Sequence, residues 1–240
     1  MKKKAFILCA GASTRWRNKD KPKGTPQIKQ NIIINNEKLI DRTIRLLKEN
    51  NINDITIVLR GDILQNKDCK YIDLGSAEKA STVMDTLKTK EHWENNIIIL
   101  LGDVYFSENA IKTIVKNKDK IPTFYGRPFK SFVTGKTRPE IFAFSFDSKD
   151  ANKIEKSILS AIKMVANMVV ARLTKDPHVR MWQLYEHYHK QPLGDVFSYG
   201  AEKRDIINKD GFIVIDDETD DFDVYQDYIN YMENTKNNNG

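Results

Sequence analysis

Three apolar runs organise the first hundred residues of the chain. They are AFILCA at 5–10, DITIVLRG at 54–61 and NIIILLGD at 96–103. Strands that are apolar throughout are typical of central parallel strands, which helices cover on both faces. Between the runs, apolar residues recur at helical spacing over 39–47, and 76–90 is predicted as a loop followed by a helix. The resulting order of strand, helix, strand, helix and strand predicts an α/β fold with a doubly wound, mostly parallel sheet.

The pattern changes from about residue 121. Short aromatic and β-branched segments at 121–129, 131–135 and 140–146 predict a mixed or antiparallel extension of the sheet. Residues 150–190 are predicted to be mostly helical, followed by a strand at 211–217 and a closing helix. No Gly-, Ser- or Pro-rich linker divides the chain, so we expect a single domain over 1–234 with a disordered tail at 235–240.

Composition narrows the class of protein. The chain has 240 residues, of which 40% are apolar and 30% charged, as in a globular protein. Its apolar runs are much shorter than the roughly 18 to 20 residues that span a bilayer, so no membrane span is expected. The apolar run after Lys2–Lys4 is too short for a signal peptide, which favours a cytoplasmic location. With only two cysteines, reduced thiols are expected.

The net charge of +6 favours acidic ligands. The lysines are spread along the whole chain and form no basic stripe interleaved with aromatic residues. This distribution favours a small molecule that carries phosphate over nucleic acid.

Two predicted strands end in residues suited to binding phosphate and metal. The first runs into Ala10–Thr14 and then Arg15, and the third ends on Gly102 and Asp103. The carboxyl ends of parallel strands lie on one rim of a sheet, so both ends should be neighbours. Small residues let backbone N–H groups approach an anion, and Arg15 could add a bidentate donor. Small residues after a strand are equally typical of an ordinary turn.

The loop at 10–15 resembles the signature loop of the sugar-phosphate nucleotidylyltransferases and their relatives, which include small-molecule cytidylyltransferases. In that family the loop has Ala-Gly, any residue, Gly or Ser, any residue and Arg, and here it is AGASTR. Three further matches follow in the family's order. IKQNIIINNEKLIDRTI at 28–44 resembles the Pro-Lys segment, ILLGDVYF at 99–106 resembles the strand that ends on a metal-binding aspartate, and DFDVYQDY at 221–228 resembles the closing element.

This resemblance implies a Rossmann-like fold of the nucleotide-diphospho-sugar transferase type. Residues 1–120 would bind the nucleotide and 121–234 the acceptor. Arg15 and Lys29 would be catalytic, and Asp103 and Asp223 would bind Mg²⁺. The triphosphate would contact a set of small residues: Ala10, Gly11, Ala12, Ser13, Thr14 and Gly102. Asp221 could join the metal ligands, whereas Asp216, Asp217 and Asp220 are expected on the solvated surface.

The catalytic lysine has two candidates. The family's proline is Ile28 here, and the gap of 14 positions between Arg15 and Lys29 is longer than is usual in the family. The intervening residues contain their own Pro22-Lys23 pair, which is a competing match. Lys29 is favoured because the register from it to Leu39 and Ile40 matches the family.

Two further segments concern the base and the acceptor. GSAEKASTV at 75–83 resembles the segment that approaches the base and ribose in methylerythritol cytidylyltransferases, which favours CTP with Gly75 and Ser81 as contacts. A helix N-cap at Ser76 or Ser81 fits this segment equally well. Charge alone singles out the acceptor residues Arg127, Lys136 and Glu140, with Lys130 and Arg138 nearby. They would suit a phosphorylated acceptor such as a sugar phosphate, a phosphocholine-like compound or a phosphorylated amino acid, although a solvated basic loop is equally consistent.

The resemblance therefore implies an Mg²⁺-dependent nucleotidylyltransferase that transfers CMP from CTP to a phosphorylated small molecule for surface polysaccharide or related biosynthesis. Two alternatives stay open: a glycosyltransferase of the related fold that uses a nucleotide sugar, and a nucleotide-binding module without catalysis. The apolar helical segment around 164–173 is either core or the surface of a homodimer.

Overall fold

A computed structural model gives the fold of most of the chain. It describes residues 2–11, 13, 15–16, 22, 24–26, 28–61, 66–75, 82–118, 121–137, 139–173, 179–189 and 211–237. The predicted contacts Ala12, Thr14 and Ser81, the competing Lys23, and Arg138 lie outside these residues.

Strands and helices alternate along the first half of the chain. The strands are β1 (Lys3–Leu8), β2 (Ile33–Ile34), β3 (Glu37–Lys38), β4 (Asp54–Leu59), β5 (Lys70–Asp73), β6 (Asn96–Leu101), β7 (Val104–Tyr105), β8 (Thr123–Arg127), β9 (Glu140–Asp147), β10 (Phe212–Val214) and β11 (Asp220–Asp221). The helices are α1 (Leu39–Glu49), α2 (Thr82–Leu87), α3 (Glu108–Lys116), α4 (Ala151–Val170), α5 (Met181–His189) and α6 (Tyr225–Asn237). Short 3₁₀ turns lie at Lys29–Asn31, Lys90–His92 and Ser148–Asp150.

Seven strands form the central sheet in the order β10-β8-β9-β6-β1-β4-β5. β6, β1 and β4 are parallel, as the apolar runs predict, and β5 adds a fourth parallel strand beside β4. β9 runs antiparallel to both β6 and β8, which confirms the predicted mixed extension. The fold is therefore an α/β sandwich around a mostly parallel, Rossmann-like sheet, and it places the ends of β1, β4, β5 and β6 on one rim.

The core lies on both faces of this sheet because side chains alternate along each strand. Ile7 and Ile98 pack on one face with α1 and α3, whereas Phe6 and Ile99 pack on the other with α4 and α5. All four are almost fully buried, and burial of one such side chain contributes about 1.5–3 kcal/mol. Both layers are needed, which explains why these strands carry no polar face.

The helix α4 is buried on one side and exposed on the other. Ile154, Ile158, Ala161 and Val165 are buried against the sheet. Leu159 and Val170 are exposed on the other side of the helix, with Leu173 just beyond its end. A homodimer through that side stays a prediction.

Three local predictions are corrected. β5 was not predicted, because KYID is a polar edge strand without an apolar run. Residues 131–135 form a turn and not a strand, since the Ser131 hydroxyl accepts hydrogen bonds from the backbone N–H groups of Val133 and Thr134. The closing helix continues to Asn237, into the tail predicted to be disordered from 235.

No helix in the described ranges is long and apolar enough to cross a membrane. Both cysteines are free thiols, as expected. Burial, reinforced by the charge of Asp103, raises the pKa of Cys9 well above its ordinary value.

Candidate active site

The loop after β1 lies at the carboxyl rim of the sheet and is open on one side. Ala10 is buried, whereas Gly11 is exposed and has no other group within 4 Å of where a Cβ would lie. Ser13 has a φ of 50°, a left-handed conformation that is uncommon for residues other than glycine. Such conformations are characteristic of backbone turns that direct N–H groups toward an anion. The described part of this loop therefore leaves room for a phosphate beside its backbone.

Each of the two predicted catalytic cations, Arg15 and Lys29, forms an ion pair with one of the two predicted metal ligands. The Arg15 guanidinium donates two hydrogen bonds to the carboxylate of Asp223, at 2.9 and 2.8 Å. The Lys29 ammonium donates to Asp103 at 2.5 Å. Lys29 is nearly buried, with 8% of its side chain exposed, whereas Arg15 is 53% exposed. Four residues spread over 208 positions of sequence thus meet at one rim, as two opposite-charge pairs.

Backbone pairing brings Asp103 and Asp223 together. β11 pairs antiparallel with β7, so that Asp221 lies opposite Val104, and the N–H of Phe222 donates to the carbonyl of Asp103 at 3.1 Å. Asp227, in the first turn of α6, accepts hydrogen bonds from the N–H groups of Asp223 and Val224 at 2.8 and 3.0 Å. This capping arrangement satisfies backbone donors at the start of α6 and fixes the carboxylate of Asp223 in position.

A second group of charges surrounds Lys136. Its ammonium lies 2.8 Å from a carboxylate oxygen of Asp221, 3.3 Å from Asp227 and 3.6 Å from Asp223. It also donates to the backbone carbonyl of Asp221 at 3.0 Å. Lys136, which the sequence suggested as an acceptor contact, is therefore part of the same site as the predicted metal ligands.

Glu140 reaches this site because β9 runs against its neighbours. β9 begins with Glu140, and its antiparallel pairing places this first residue near the carboxyl end of β6. On the other side, β8 approaches β9 so closely that a Cβ on Gly126 would lie 2.2 Å from the Glu140 carbonyl oxygen. A residue with a side chain could not occupy position 126 without moving the strand that carries Glu140.

Glu140, Asp221 and Asp223 form what we call the carboxylate cluster. Each offers a carboxylate oxygen, and these oxygens all lie within 4.8 Å of one another. The Oδ1 atom of Asp221 is buried and accepts no hydrogen bond from the residues that the structure describes. Lys136 already pairs with Asp221 and Asp223, and a divalent cation would add positive charge beside the Asp221 Oδ1 atom; carboxylate oxygens are the ligands that Mg²⁺ prefers. The residues present therefore fit a divalent cation.

The electrostatics of the cluster agree with that fit. Burial raises the pKa of Asp221 to about 7; the charge of Lys136 opposes this shift, and the charges of Asp223, Asp220 and Asp103 add to it. Burial and the charge of Asp221 also raise the pKa of Glu140 well above its ordinary value. Without a divalent cation, Asp221 and Glu140 thus hold protons more readily than ordinary carboxylates do.

The pKa of Asp223 shifts in the opposite direction. Burial alone would raise it, but the positive charges around it hold it below its ordinary value: Lys136, Lys29, Arg15 and Arg180. Sequence reasoning missed Arg180, because its approach to Asp223 depends on how the start of α5 packs and no local motif marks it. It also missed Asp227, for which the spacing of four residues from Asp223 at a helix start is a usable signal.

Two predicted contacts have structural partners of their own. Arg127 is 1% exposed, and its guanidinium pairs with Asp220 at 3.0 Å and with backbone carbonyls. Asp220 is fully buried, so the expectation that it lies on the solvated surface was wrong. Gly102 is buried where its N–H donates to the carbonyl of Leu8 at 3.0 Å. A Cβ on Gly102 would lie 2.3 Å from the Cys9 sulfur, so this glycine lets β1 and β6 approach.

Gly75 lies at the same rim, after β5. Its φ of 64° favours glycine, and its N–H donates to Asp73 at 2.9 Å. Among the described residues, no further group lies within 4 Å of where a Cβ on Gly75 would be. The residues that follow it, 76–81, lie outside the described ranges.

Three solved structures of similar fold were compared with this chain. CTP:phosphocholine cytidylyltransferase (LicC) from Streptococcus pneumoniae is 18% identical over 97% of this chain and 99% of its own, with a TM-score of 0.54. HddC from Yersinia pseudotuberculosis, in complex with GMP-PN, is 14% identical over 98% and 100%, with a TM-score of 0.53. A candidate glucose-1-phosphate thymidylyltransferase from Bacillus anthracis, in complex with sucrose, is 12% identical over 95% of both chains, with a TM-score of 0.53.

No family model and no curated protein sequence matches the chain. Similarity is therefore carried by structure, and at these identities it concerns the fold. Since each alignment covers nearly the whole of both chains, this chain has the fold of the nucleotidylyltransferase superfamily.

Proposed function

We propose that this protein is an Mg²⁺-dependent nucleotidylyltransferase that transfers CMP from CTP to a phosphorylated small molecule and releases pyrophosphate. The observation that carries the proposal is that two ion pairs lie at the rim, Arg15 with Asp223 and Lys29 with Asp103. The cations that we propose to bind phosphate and the carboxylates that we propose to bind metal lie side by side there, in a fold that is similar to that of a cytidylyltransferase.

The reaction makes one bond and breaks one. A phosphate oxygen of the acceptor attacks the α-phosphorus of the triphosphate, and the bond from that phosphorus to the bridging oxygen of the β-phosphate breaks. The transition state spreads negative charge over the phosphoryl oxygens, so catalysis requires alignment and positive charge more than acid–base chemistry. Mg²⁺, when held by Asp103, Asp223 and their neighbours in the carboxylate cluster, supplies positive charge for the phosphates.

The residues of the chain have distinct tasks in this proposal. Exposed Arg15 exchanges Asp223 for the β- and γ-phosphates, with the backbone of the loop after β1 as a second contact. Nearly buried Lys29 exchanges Asp103 for oxygens of the α-phosphate, where charge develops during transfer. Both exchanges would leave Asp223 and Asp103 as carboxylates that could hold the divalent cation of the triphosphate.

The acceptor is proposed to bind beside Lys136 and Arg180. Arg127 is left out, because its guanidinium is buried against Asp220. The carboxylates around Lys136 favour an acceptor that carries a positive group as well as its phosphate, such as a phosphorylated amino alcohol. The choice of CTP rests on the resemblance of 75–83, with Gly75 at the rim as its described contact. The product is proposed to be an activated precursor for surface polysaccharide or related biosynthesis, made in the cytoplasm.

Pyrophosphate release tests the proposal directly. The purified protein is incubated with Mg²⁺, each of the four ribonucleoside triphosphates, and a panel of phosphorylated acceptors that includes sugar phosphates and phosphocholine. We expect release with CTP and at least one acceptor. Release without acceptor dependence, or hydrolysis of nucleotide sugars without pyrophosphate, would contradict the proposal. The second outcome would favour a glycosyltransferase.

The matched control uses Asp103→Asn beside Asp54→Asn. Asp54 lies at the opposite end of the sheet, at the start of β4, where it pairs with Lys70. Only the first variant should lose pyrophosphate release, because only Asp103 lies at the proposed metal site. Equal losses in the two variants would indicate damage to the fold and not to the site.

A further inference from the structure

Arg60 lies directly after β4 and connects three segments of the rim. Its Nε donates to the backbone carbonyl of Ala10 at 3.1 Å, and one terminal nitrogen donates to the carbonyl of Leu74 at 3.3 Å. The other terminal nitrogen forms an ion pair with Asp85 of α2 at 2.8 Å. Both partners of the pair are well buried, with 18% of the Arg60 side chain and 5% of the Asp85 side chain exposed.

Two of these partners belong to segments assigned to the nucleotide. Ala10 opens the loop proposed to hold the triphosphate, and Leu74 precedes Gly75, proposed to approach the base and ribose. A second bridge joins the same strand ends, since Asp73 accepts hydrogen bonds from the N–H groups of Gly61 and Gly75. Backbone hydrogen bonds pair β1, β4 and β5 up to their ends, and the side chains of Arg60 and Asp73 extend these connections to the residues that follow the strands.

The geometry of the guanidinium matters for this connection. Its planar fork presents donors in fixed directions, and here three separate nitrogens point to three separate acceptors. A lysine ammonium at the same position has the charge but cannot reach three acceptors that lie in three different directions around the guanidinium plane. The Asp85 carboxylate accepts from the remaining terminal nitrogen and so helps to hold the guanidinium in place.

We infer that Arg60 is a positioning residue that sets the distance between the triphosphate loop and the base-binding segment, and through it the selectivity for the nucleotide base. The inference rests on the proposed function for the identity of these two segments. A base is discriminated only when its contacts are made while the triphosphate is correctly seated, so the separation of the two segments is what the enzyme must hold constant.

The test compares Arg60→Lys and Arg60→Met with a control on the same two strands. Lys70→Met removes the ion pair between Lys70 and Asp54. This pair lies at the starts of β4 and β5, away from the rim that carries Arg60. Dissociation constants of the Mg²⁺ complexes of CTP, UTP, GTP and ATP are measured by calorimetry, and kcat/KM by pyrophosphate release. We expect Arg60→Lys to lower the ratio of affinities for the preferred and second nucleotides at least about fivefold, within the roughly 100-fold that a 1 Å misplacement can cost. Lys70→Met should leave the ratio unchanged.

The ratio separates positioning from general stability. A residue with a purely structural role would lower the melting temperature and the active fraction, which leaves the ratio of affinities unaltered. Should Arg60→Met fail to fold, Arg60→Lys keeps the charge beside Asp85 and still provides the measurement. An unchanged ratio in folded Arg60→Lys overturns the inference, as does a wild-type protein that binds all four nucleotides equally.

Failure of the proposed function gives a different result. Selective nucleotide binding without pyrophosphate release would contradict catalysis and still test Arg60 through the ratio of affinities. A wild-type protein that binds no nucleotide would refute both.

Discussion

Binding of a divalent cation at the carboxylate cluster should weaken in acid, because protons compete for Asp221. Burial and neighbouring carboxylates raise the pKa of this residue to about 7 when no cation is bound. A carboxylate must be ionised to act as a ligand, so binding displaces the proton. About one-tenth of Asp221 is ionised at pH 6 and about nine-tenths at pH 8. The apparent affinity for Mg²⁺ should therefore rise about tenfold between these values, or about 1.4 kcal/mol.

The same pKa determines how the cation-free protein responds to pH. An aspartate in the unfolded chain ionises near its ordinary value, well below the folded pKa of about 7. Over the interval between the two values the folded protein holds the extra proton, so the contribution of Asp221 to the free energy of unfolding falls as pH rises. Mg²⁺ should offset this loss, and its stabilising effect should be larger at pH 8 than at pH 6.

Calorimetric titration with MgCl₂ at pH 6, 7 and 8, in two buffers of different ionisation enthalpy, measures both the affinity and the protons released. Asp221→Asn removes the competing proton of Asp221, and with it the charge that adds to the effect of burial on the pKa of Glu140. Burial still raises that pKa, so we expect the affinity of this variant to depend on pH less steeply than that of the wild-type protein, but not to be constant. Asp68→Asn, at an exposed residue outside the site, is the control and should keep the wild-type dependence. Equal affinities of the wild-type protein at pH 6 and 8, or the same dependence in Asp221→Asn, would refute the reasoning.

Three further predictions concern the lysine, the rim and the buried ion pair. Lys29→Ala should keep the fold and lower pyrophosphate release by about 100- to 1,000-fold, because charge at the α-phosphate loses its donor. Lys23→Ala should retain near wild-type rates, and the reverse pattern would assign the role to Lys23. Gly102→Ala should lower the free energy of unfolding by about 1–3 kcal/mol through overpacking against Cys9 and Leu8. Gly11→Ala, in open space, should change it by less than about 0.5 kcal/mol, and equal urea midpoints would contradict the packing argument. Arg127→Met should lower the free energy of unfolding by about 3–5 kcal/mol because it strands the charge of Asp220. Arg127→Met combined with Asp220→Asn should recover part of that loss, whereas equal loss in the single and double variants would show that the stranded charge is not the cause.

The central strands and their rim could be predicted from the sequence because burial on both faces leaves an unambiguous pattern. Continuous apolar runs require cover on both sides, and parallel strands bring their carboxyl ends together. The nearness of Arg15, Lys29, Asp103 and Asp223 followed from a family resemblance, and the structure places these four at one rim. Their chemical roles stay predictions.

The contents of the carboxylate cluster could not be read in the same way. Glu140 enters it because β9 is reversed, and the direction of a strand leaves no mark in its own sequence. Arg127 has the charge expected of an acceptor contact, but only the position of Asp220 across the fold explains why it is buried. Edge strand β5 is polar, so the apolar pattern that identifies central strands is missing there.

The number of residues in the acidic run at 217–223 is constrained by the partners of its aspartates. Asp217 accepts a hydrogen bond from the Ser107 hydroxyl, Asp220 pairs with Arg127, Asp221 with Lys136, and Asp223 with Arg15. Successive side chains of a strand point to opposite sides, so Asp220 and Asp221 are neighbours in sequence with separate destinations. Insertion or deletion of one residue here would keep the charge of the segment and exchange these destinations. Single-residue deletions within this run should therefore lower the stability of the protein far more than charge-neutralising substitutions at Asp217 do.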